Sequence, residues 1–514
     1  RADYADGRFT TFAYDAMGRL ISAMDALAGR IDFSYDVLDR LIQEISPQAA
    51  VAYAYDALGR RTTMTVSGLA PVTYQYDAAS RLVQVAWGSF VVTIGYDAAG
   101  RRISLTYSNG TSTSYTYDAA SRVTSINHTF GLSTVEGLTY TYDAAGNRTG
   151  INRANGPATL LPQPVTAAYD AANQLIQFNG LPVTHDANGN MTSDGTNTYT
   201  WDARNRLIAR TGPGLSESFV YDALGRRISK TINGVTTTFL YDGNDIIAEM
   251  QGGAITAFYL RGLNIDEPFI RITATGNEYY HTDALGSVLA LTNDAGQVTT
   301  TYAYEPFGRT QITGTSSNPF QFTGRENDQP VLSGVEGGLY YYRGRYYSPG
   351  LQRFISADPI GLYGGDINFY AYVGNNPTTF IDLDGLAKDR SRRRGQEGGR
   401  GPLSGSDHII QDGKEIARKE GGAKGAEHIR KEMERLKLEG NLPNERAAKL
   451  RGAAKLLKEL GEAAKTGAKI GGLALGILLE LADPAEAGKG SDILPGKLVP
   501  GEIHPEEAES SRKQ

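Results

Sequence analysis

The phrase Tyr-Asp-Ala-x-Gly-Arg, returning every 20 or 21 residues, constrains this chain more than any other feature of its sequence. Copies begin at Tyr14, Tyr35, Tyr55, Tyr76, Tyr96 and Tyr117, spaced 21, 20, 21, 20 and 21 residues apart. Looser copies follow at Tyr142, Tyr169, His185, Trp201, Tyr221 and Tyr241. A period this regular means one supersecondary unit per repeat, too small to bury its own apolar face and obliged to stack on its neighbours. Residues before each Tyr-Asp alternate, as in Val72-Thr73-Tyr74-Gln75-Tyr76, the pattern of a strand with one buried face. The Asp and Gly suit a turn, and Arg19-Leu20-Ile21 or Arg60-Arg61-Thr62 opens a returning strand. Each unit therefore reads as a β-hairpin, and the hairpins are expected to join edge to edge into one long sheet. The Asp and Arg flanking each turn have two readings. They pair in a ladder along the sheet, or they only fix the turn and solvate its edge, the commoner use of surface charges.

From about 310 the phrases change. The segment 338–386 holds the densest aromatic cluster: Tyr340, Tyr341, Tyr342, Tyr346, Tyr347, Phe354, Tyr363, Phe369, Tyr370 and Tyr372. Such a cluster is expected to be a core or plug. Among its rings stand Arg345, Arg353, Asp358, Asp366, Asp382 and Asp384, charges that must be paired, exposed or functional. Beyond 386 the composition shifts again. Residues 1–386 carry 26 Lys and Arg against 36 Asp and Glu, whereas 387–514 carry 25 against 21 and no Phe, Tyr or Trp. These shifts divide the chain into repeats over 1–310, an aromatic core over 311–386 and a basic tail over 387–514.

Ordered blocks in the core carry a resemblance. Glu305-Pro306-Phe307-Gly308-Arg309 is followed by Phe322-Thr323-Gly324-Arg325, then Arg353-Phe354-Ile355-Ser356-Ala357-Asp358-Pro359, Asn375-Asn376-Pro377 and Asp382-Leu383-Asp384-Gly385-Leu386. With the repeats before them, these blocks resemble the YD-repeat (Rhs) family and its repeat-associated core. The resemblance implies a mainly β fold, in which tandem hairpins wind as a spiralling sheet into a shell around a C-terminal polypeptide. It also implies an aspartic self-protease, with Arg345, Asp358 and Asp382 as the catalytic set and cleavage between Leu386 and Ala387. The chemistry is sound for such a set. Two carboxylates held close share a proton, so that one activates water while the other donates. This chain departs from the family in having Leu383 where a proline is usual, and it adds a further acid, Asp384. An inert plug, with the same residues as paired core charges, is the other reading.

The tail reads as a small α-helical domain after a basic linker over 388–400, with helical patterns over 424–438 and 444–482. By position it is the variable domain of a polymorphic toxin, though no toxin motif stands out. Asp407, His408, Glu415, Glu427, His428 and Glu432 would supply acid–base groups to a metal-independent nuclease. Nucleic acid is a partner only in that case. The absence of cysteine excludes thiol-ligated metals. Asp186-Ala-Asn188-Gly-Asn190 opens like a calcium loop, but Met191 stands where that loop needs glycine and Asn197 where it needs Glu. It reads as a repeat turn, and no cofactor is expected. No apolar run is long enough to span a membrane. The chain opens at Arg1 in mid-phrase, so export information is expected to lie outside it. The functional expectation is a secreted or cell-surface bacterial toxin with an immunity protein and an export machine as partners. The alternative is a non-enzymatic surface protein that binds carbohydrate or neighbouring cells.

Overall fold

The computed structural model describes residues 1–156, 160–162, 164–328, 338–390 and Lys431. All but Lys431 belong to the first of two compact units, 1–399 and 400–514. The expected tail helices and their acid–base groups, from Asp407 to Glu432, lie outside the described residues apart from Lys431, which is helical. Among the described residues no helix is long and apolar enough to cross a membrane.

The described unit is almost wholly antiparallel β. Fifteen strands from Ala2–Asp3 to Arg148–Arg153 form one sheet in sequence order, and fourteen from Thr184–His185 to Thr310–Gly314 form a second. A three-stranded sheet, Ala167–Tyr169, Leu175–Phe178 and Leu181–Pro182, lies between them in sequence. The repeats thus build two large sheets where one unbroken sheet was expected. The first break falls in a stretch containing Pro157, Pro162 and Pro164, and proline has no N–H to donate to a ladder.

Within each sheet the repeated phrase has one structure. Asp15 Oδ1 accepts the N–H groups of Met17 and Arg19, both at 2.9 Å, which closes the turn. The turn's fourth residue takes positive φ, whether it is Gly18 (77°), Asp39 (61°) or Ser80 (62°). The Arg that follows does more than solvate an edge. Arg40 Nε donates to Asp36 of its own turn at 2.6 Å, and its Nη1 donates to the carbonyl of Asp56 in the next turn at 3.1 Å. Its guanidinium covers the Tyr55 ring at 4.9 Å, and Tyr55 donates its hydroxyl back to Leu41 O at 2.7 Å. The same pattern recurs through Arg60 and Tyr76, Arg81 and Tyr96, and Arg122 and Tyr142. The ladder reading of the Asp and Arg residues is therefore the right one, with tyrosine as its third member. Trp201 replaces the tyrosine in one copy, and its indole N–H donates to Met191 O at 2.7 Å. Asp186 closes the same turn, accepting Asn188 and Asn190 N–H at 2.9 Å.

Where a repeat reads Gly-Arg-Arg, strand alternation sends the second Arg to the opposite face. There Arg61 pairs with Asp242, and Arg102 with Glu267. These pairs join the two large sheets, which share one apolar core that includes Val51, Val85, Leu138, Phe258, Leu260 and Ile270. Burying such apolar faces supplies the main driving force, about 25 cal/mol per Å² removed from water.

The aromatic segment forms a four-stranded sheet of Glu326–Asn327, Tyr340–Tyr342, Arg345–Ser348 and Arg353–Phe354. Tyr340, Tyr342, Tyr347, Phe354 and Tyr372 pack as a core with Phe322 and Val373. Their hydroxyls are satisfied as burial requires: Tyr342 meets Tyr372 at 3.0 Å, and Tyr347 donates to Phe307 O at 2.7 Å.

Candidate active site

Strand Phe380–Asp382 turns back at 383–387 to pair with Lys388–Arg390, in the register Asp382 with Lys388. The peptide bond between Leu386 and Ala387 thus lies in the loop of a small hairpin, and hydrogen-bonded structure carries on past 386 to Arg390. This loop lies against the turn between Tyr340–Tyr342 and Arg345–Ser348, where Gly344 N–H donates to Asp384 O at 3.0 Å.

Arg345, Asp358 and Asp382 come together at this loop. One guanidinium nitrogen, Arg345 Nη2, lies 2.9 Å from Asp358 Oδ2 and 3.7 Å from Asp382 Oδ2. All three side chains are under a tenth exposed, at 3%, 7% and 3%. Arg345 stacks 3.7 Å from the Phe354 ring centre, donates through Nη1 to Phe369 O at 2.8 Å, and donates through Nε to Gly385 O. These contacts leave its orientation little freedom. Asp358 follows strand Arg353–Phe354, where its N–H donates to Phe369 O at 3.0 Å and its Oδ1 accepts Ile360 N–H at 3.0 Å.

Asp382 touches the candidate scissile bond. Its Oδ1 accepts Leu386 N–H at 3.0 Å and Ala387 N–H at 3.3 Å. Asp358 lies on the carbonyl side. A β-carbon placed on Gly364 would fall 2.8 Å from Asp358 Oδ2 and 2.9 Å from Leu386 O, so only the absence of a side chain leaves the space between them open. A cavity of about 20 Å³ lies among Arg345, Asp358, Asp366, Asp382, Leu386 and Ala387, room for one water molecule.

Burial pushes both carboxyls above the ordinary carboxylate range, with the charge of Arg345 opposing it. Burial pulls Arg345 down, with the two carboxylates opposing. Each acid is thus harder to ionise here than in water, and for the same reason: burial outweighs the single cation they face. Asp384 is absent from this group. Its side chain is 55% exposed and faces Arg343 at 3.7 Å. Arg353 also lies apart, between the rings of Tyr169 and Tyr370 with its Nη2 on Asn173 O. Sequence reasoning did not single out Gly344, Gly364 and Gly385. Their signal, glycine in Arg-Gly-Arg, Tyr-Gly-Gly and Asp-Gly-Leu, is weak in a chain with 61 glycines.

A family profile described as the teneurin YD-shell matches residues 42–133 and 108–378, which takes in Arg345 and Asp358 and stops short of Asp382. A tRNA3(Ser)-specific nuclease, WapA, of Bacillus spizizenii is 31% identical over 248 residues, 43% of this chain and 10% of that protein. The toxin protein Tse5 of Pseudomonas aeruginosa is 38% identical over 109 residues, 21% of this chain and 8% of that protein. The matched stretch thus spans about a tenth of the length of these curated relatives. The crystal structure of TcdB2-TccC3-TEV superposes with a TM-score of 0.56 over 73% of this chain and 25% of that one, at 19% identity. That likeness is one of fold. With the profile running from 42 to 378 across its repeats and most of its core, this chain belongs to the teneurin YD-shell family of YD-repeat (Rhs) proteins.

Proposed function

We propose that this chain is the closing part of a YD-shell toxin, in which the buried acids of the core cut the peptide bond between Leu386 and Ala387 and free the polypeptide beyond. The observation that carries the reading is the placement of Asp382 on the amide nitrogen of that bond, and of Asp358 beside its carbonyl across Gly364. Asp358, ionised, accepts a proton from a water in the 20 Å³ cavity, and the water oxygen adds to the carbonyl carbon of Leu386. The bond from that carbon to the Ala387 nitrogen then breaks, and the nitrogen takes the proton held by Asp382. One water is consumed, leaving a carboxylic acid on Leu386 and an amine on Ala387, with the acids' proton now on Asp358 instead of Asp382. Arg345 orients both acids and offsets their charge.

The named relatives, a tRNA nuclease and a toxin, support a toxic tail over 387–514. In this reading the shell encloses the tail, an immunity protein neutralises it in the producing cell, and the setting is secreted or cell-surface. The test is direct. The expressed chain should yield a fragment beginning at Ala387, and Asp358→Asn should leave the chain whole. Equal cutting of that variant ends the assignment. Growth arrest by 387–514 inside a bacterium supports the toxin, and unimpeded growth favours the non-enzymatic surface protein.

A further inference from the structure

Three consecutive residues of one turn hold three consecutive carbonyls of the loop that contains the scissile bond. Arg343 Nη1 donates to Leu383 O at 2.6 Å, Gly344 N–H donates to Asp384 O at 3.0 Å, and Arg345 Nε donates to Gly385 O. The next carbonyl in line, Leu386 O, lies with Asp358 Oδ2 within 3 Å of the point a Gly364 β-carbon would occupy. The two backbones cross so closely that side chains are excluded on both. A β-carbon on Gly344 would lie 2.8 Å from Asp384 O and 3.0 Å from Leu386 Cδ2. One on Gly385, at φ 70°, would collide with Tyr342 O and lie 3.1 Å from Arg345 N.

Arg343 is the unusual member. It is a non-glycine residue at φ 56°, a conformation that persists only where its surroundings hold it. They do so through the second repeat sheet. Arg343 Nη2 lies 2.7 Å from Asp266 Oδ1 and 3.3 Å from Asp245 Oδ1, while its Nη1 lies 3.3 Å from Asp266 Oδ2. Asp245 opens strand Asp245–Gln251, and Asp266 sits in the loop before Pro268–Thr273. The guanidinium therefore bridges repeat-sheet carboxylates and the cleavable loop.

We propose that Arg343, Gly344 and Arg345 form a register template: the scissile bond is chosen by counting carbonyls, as the bond after the first residue beyond Gly385, and not by the side chain at that position. Arg343 acts in it as a positioning residue that makes cutting depend on the folded repeat sheet. This rests on the self-cleavage reading above. Leu386 adds packing against Gly344, so its loss slows the cut without moving it.

The test uses the full chain, with mass spectrometry of the released fragment. Insertion of one alanine between Gly385 and Leu386 should move the cut by one bond, so that the fragment begins at Leu386. A fragment still beginning at Ala387 overturns the template. Leu386→Ala should be cut at the unchanged bond within about tenfold of the wild-type rate, and a moved cut there also overturns it. Arg343→Ala should slow cutting about 10- to 100-fold and yield mixed N-termini around 386, while keeping the wild-type pH profile. Arg343→Lys should restore a single N-terminus. A uniformly cut Arg343→Ala chain removes Arg343 from the template. An uncut wild-type chain would instead sink the self-cleavage reading itself, and Asp358→Asn as the inactive control keeps the two failures apart.

Discussion

The first repeat sheet and the closing segment are built from the same three residues, Arg, Asp and Tyr, and put them to opposite use. In the sheet the Arg that follows a turn pairs with the Asp of that turn and stays well exposed, as Arg60 does at 25%. The backbone N–H and guanidinium of Arg81 hold Asp77 below the ordinary carboxylate range. In the closing segment one Arg345, 3% exposed, serves two acids, and burial drives both upward. What separates a structural rung from the proposed reactive centre is therefore stoichiometry and water. One cation per acid in reach of solvent stabilises a carboxylate, whereas one cation for two acids out of reach keeps a proton available.

The largest effect should come from breaking the shared cation. Arg345→Lys replaces a planar fork with a single ammonium that cannot reach Gly385 O, Phe369 O and both carboxylates together. Cutting between Leu386 and Ala387 should fall by about 10²- to 10³-fold, the size of losing one preorganised donor. A time course of the released fragment measures it. The equivalent change in the ladder, Arg60→Lys, should leave the cutting rate within about twofold.

Next in size is a buried cluster that has ladder-like partners but no water. Arg227 is fully buried, with Asp328 and Glu326 each at 2.5 Å, and Lys230 lies 2.6 Å from Glu326. It joins the second repeat sheet to the closing segment beneath the Tyr341 ring, 4.4 Å away. Arg227→Leu strands two buried carboxylates with one lysine and should cost about 3–5 kcal/mol in denaturant unfolding. Adding Asp328→Asn alone, which leaves Glu326 to pair with Lys230, should recover most of that loss. A failure to recover would mean that Arg227 acts mainly by packing between rings.

A smaller and graded effect follows from pH. Asp358 and Asp382 are both raised by burial, so the folded chain holds protons that the unfolded chain has already released. Their contribution to stability is complete below the ordinary carboxylate range and is lost as pH climbs through the raised values. Cutting needs the same proton, so its rate should decline with rising pH by up to about tenfold per unit above the higher of the two values. A rate that instead rose steadily with pH would mean that no carboxylic acid donates to the leaving amine.

How much of this was legible beforehand divides along the same line. The hairpins were legible because their signals are local: a 20-residue period, alternation before Tyr-Asp, and turn residues after it. The meeting of Arg345 with Asp358 and Asp382 could be approached only through resemblance, since nothing in their spacing of 13 and 24 residues brings them together. The template turn was invisible because its three rungs link residues 40 apart. The division into two facing sheets was missed because period and alternation say which face is buried, not what buries it. The roles in the two Gly-Arg-Arg repeats of the first sheet, first Arg along the sheet and second across it, follow from alternation only once a facing sheet is known.

The smallest prediction tests the rung itself. Tyr96 donates its hydroxyl to Leu82 O at 2.9 Å, beneath Arg81 at 4.8 Å from the ring centre. Tyr96→Phe keeps the ring and the cation above it and removes only the hydroxyl. Because the rung is partly wet, water can replace the lost donor, and the cost in unfolding free energy should be about 0.5–1 kcal/mol. Tyr221 makes the same bond to Leu207 O at 2.6 Å, but it is buried and also meets Tyr346 of the closing segment at 3.0 Å. Tyr221→Phe removes a buried donor from Leu207 O and leaves the Tyr346 hydroxyl with the Arg227 guanidinium, and should cost about 2 kcal/mol. Equal losses at the two positions would show that the hydroxyl rung is insensitive to its surroundings. The contrast between the two regions would then rest on their charges alone.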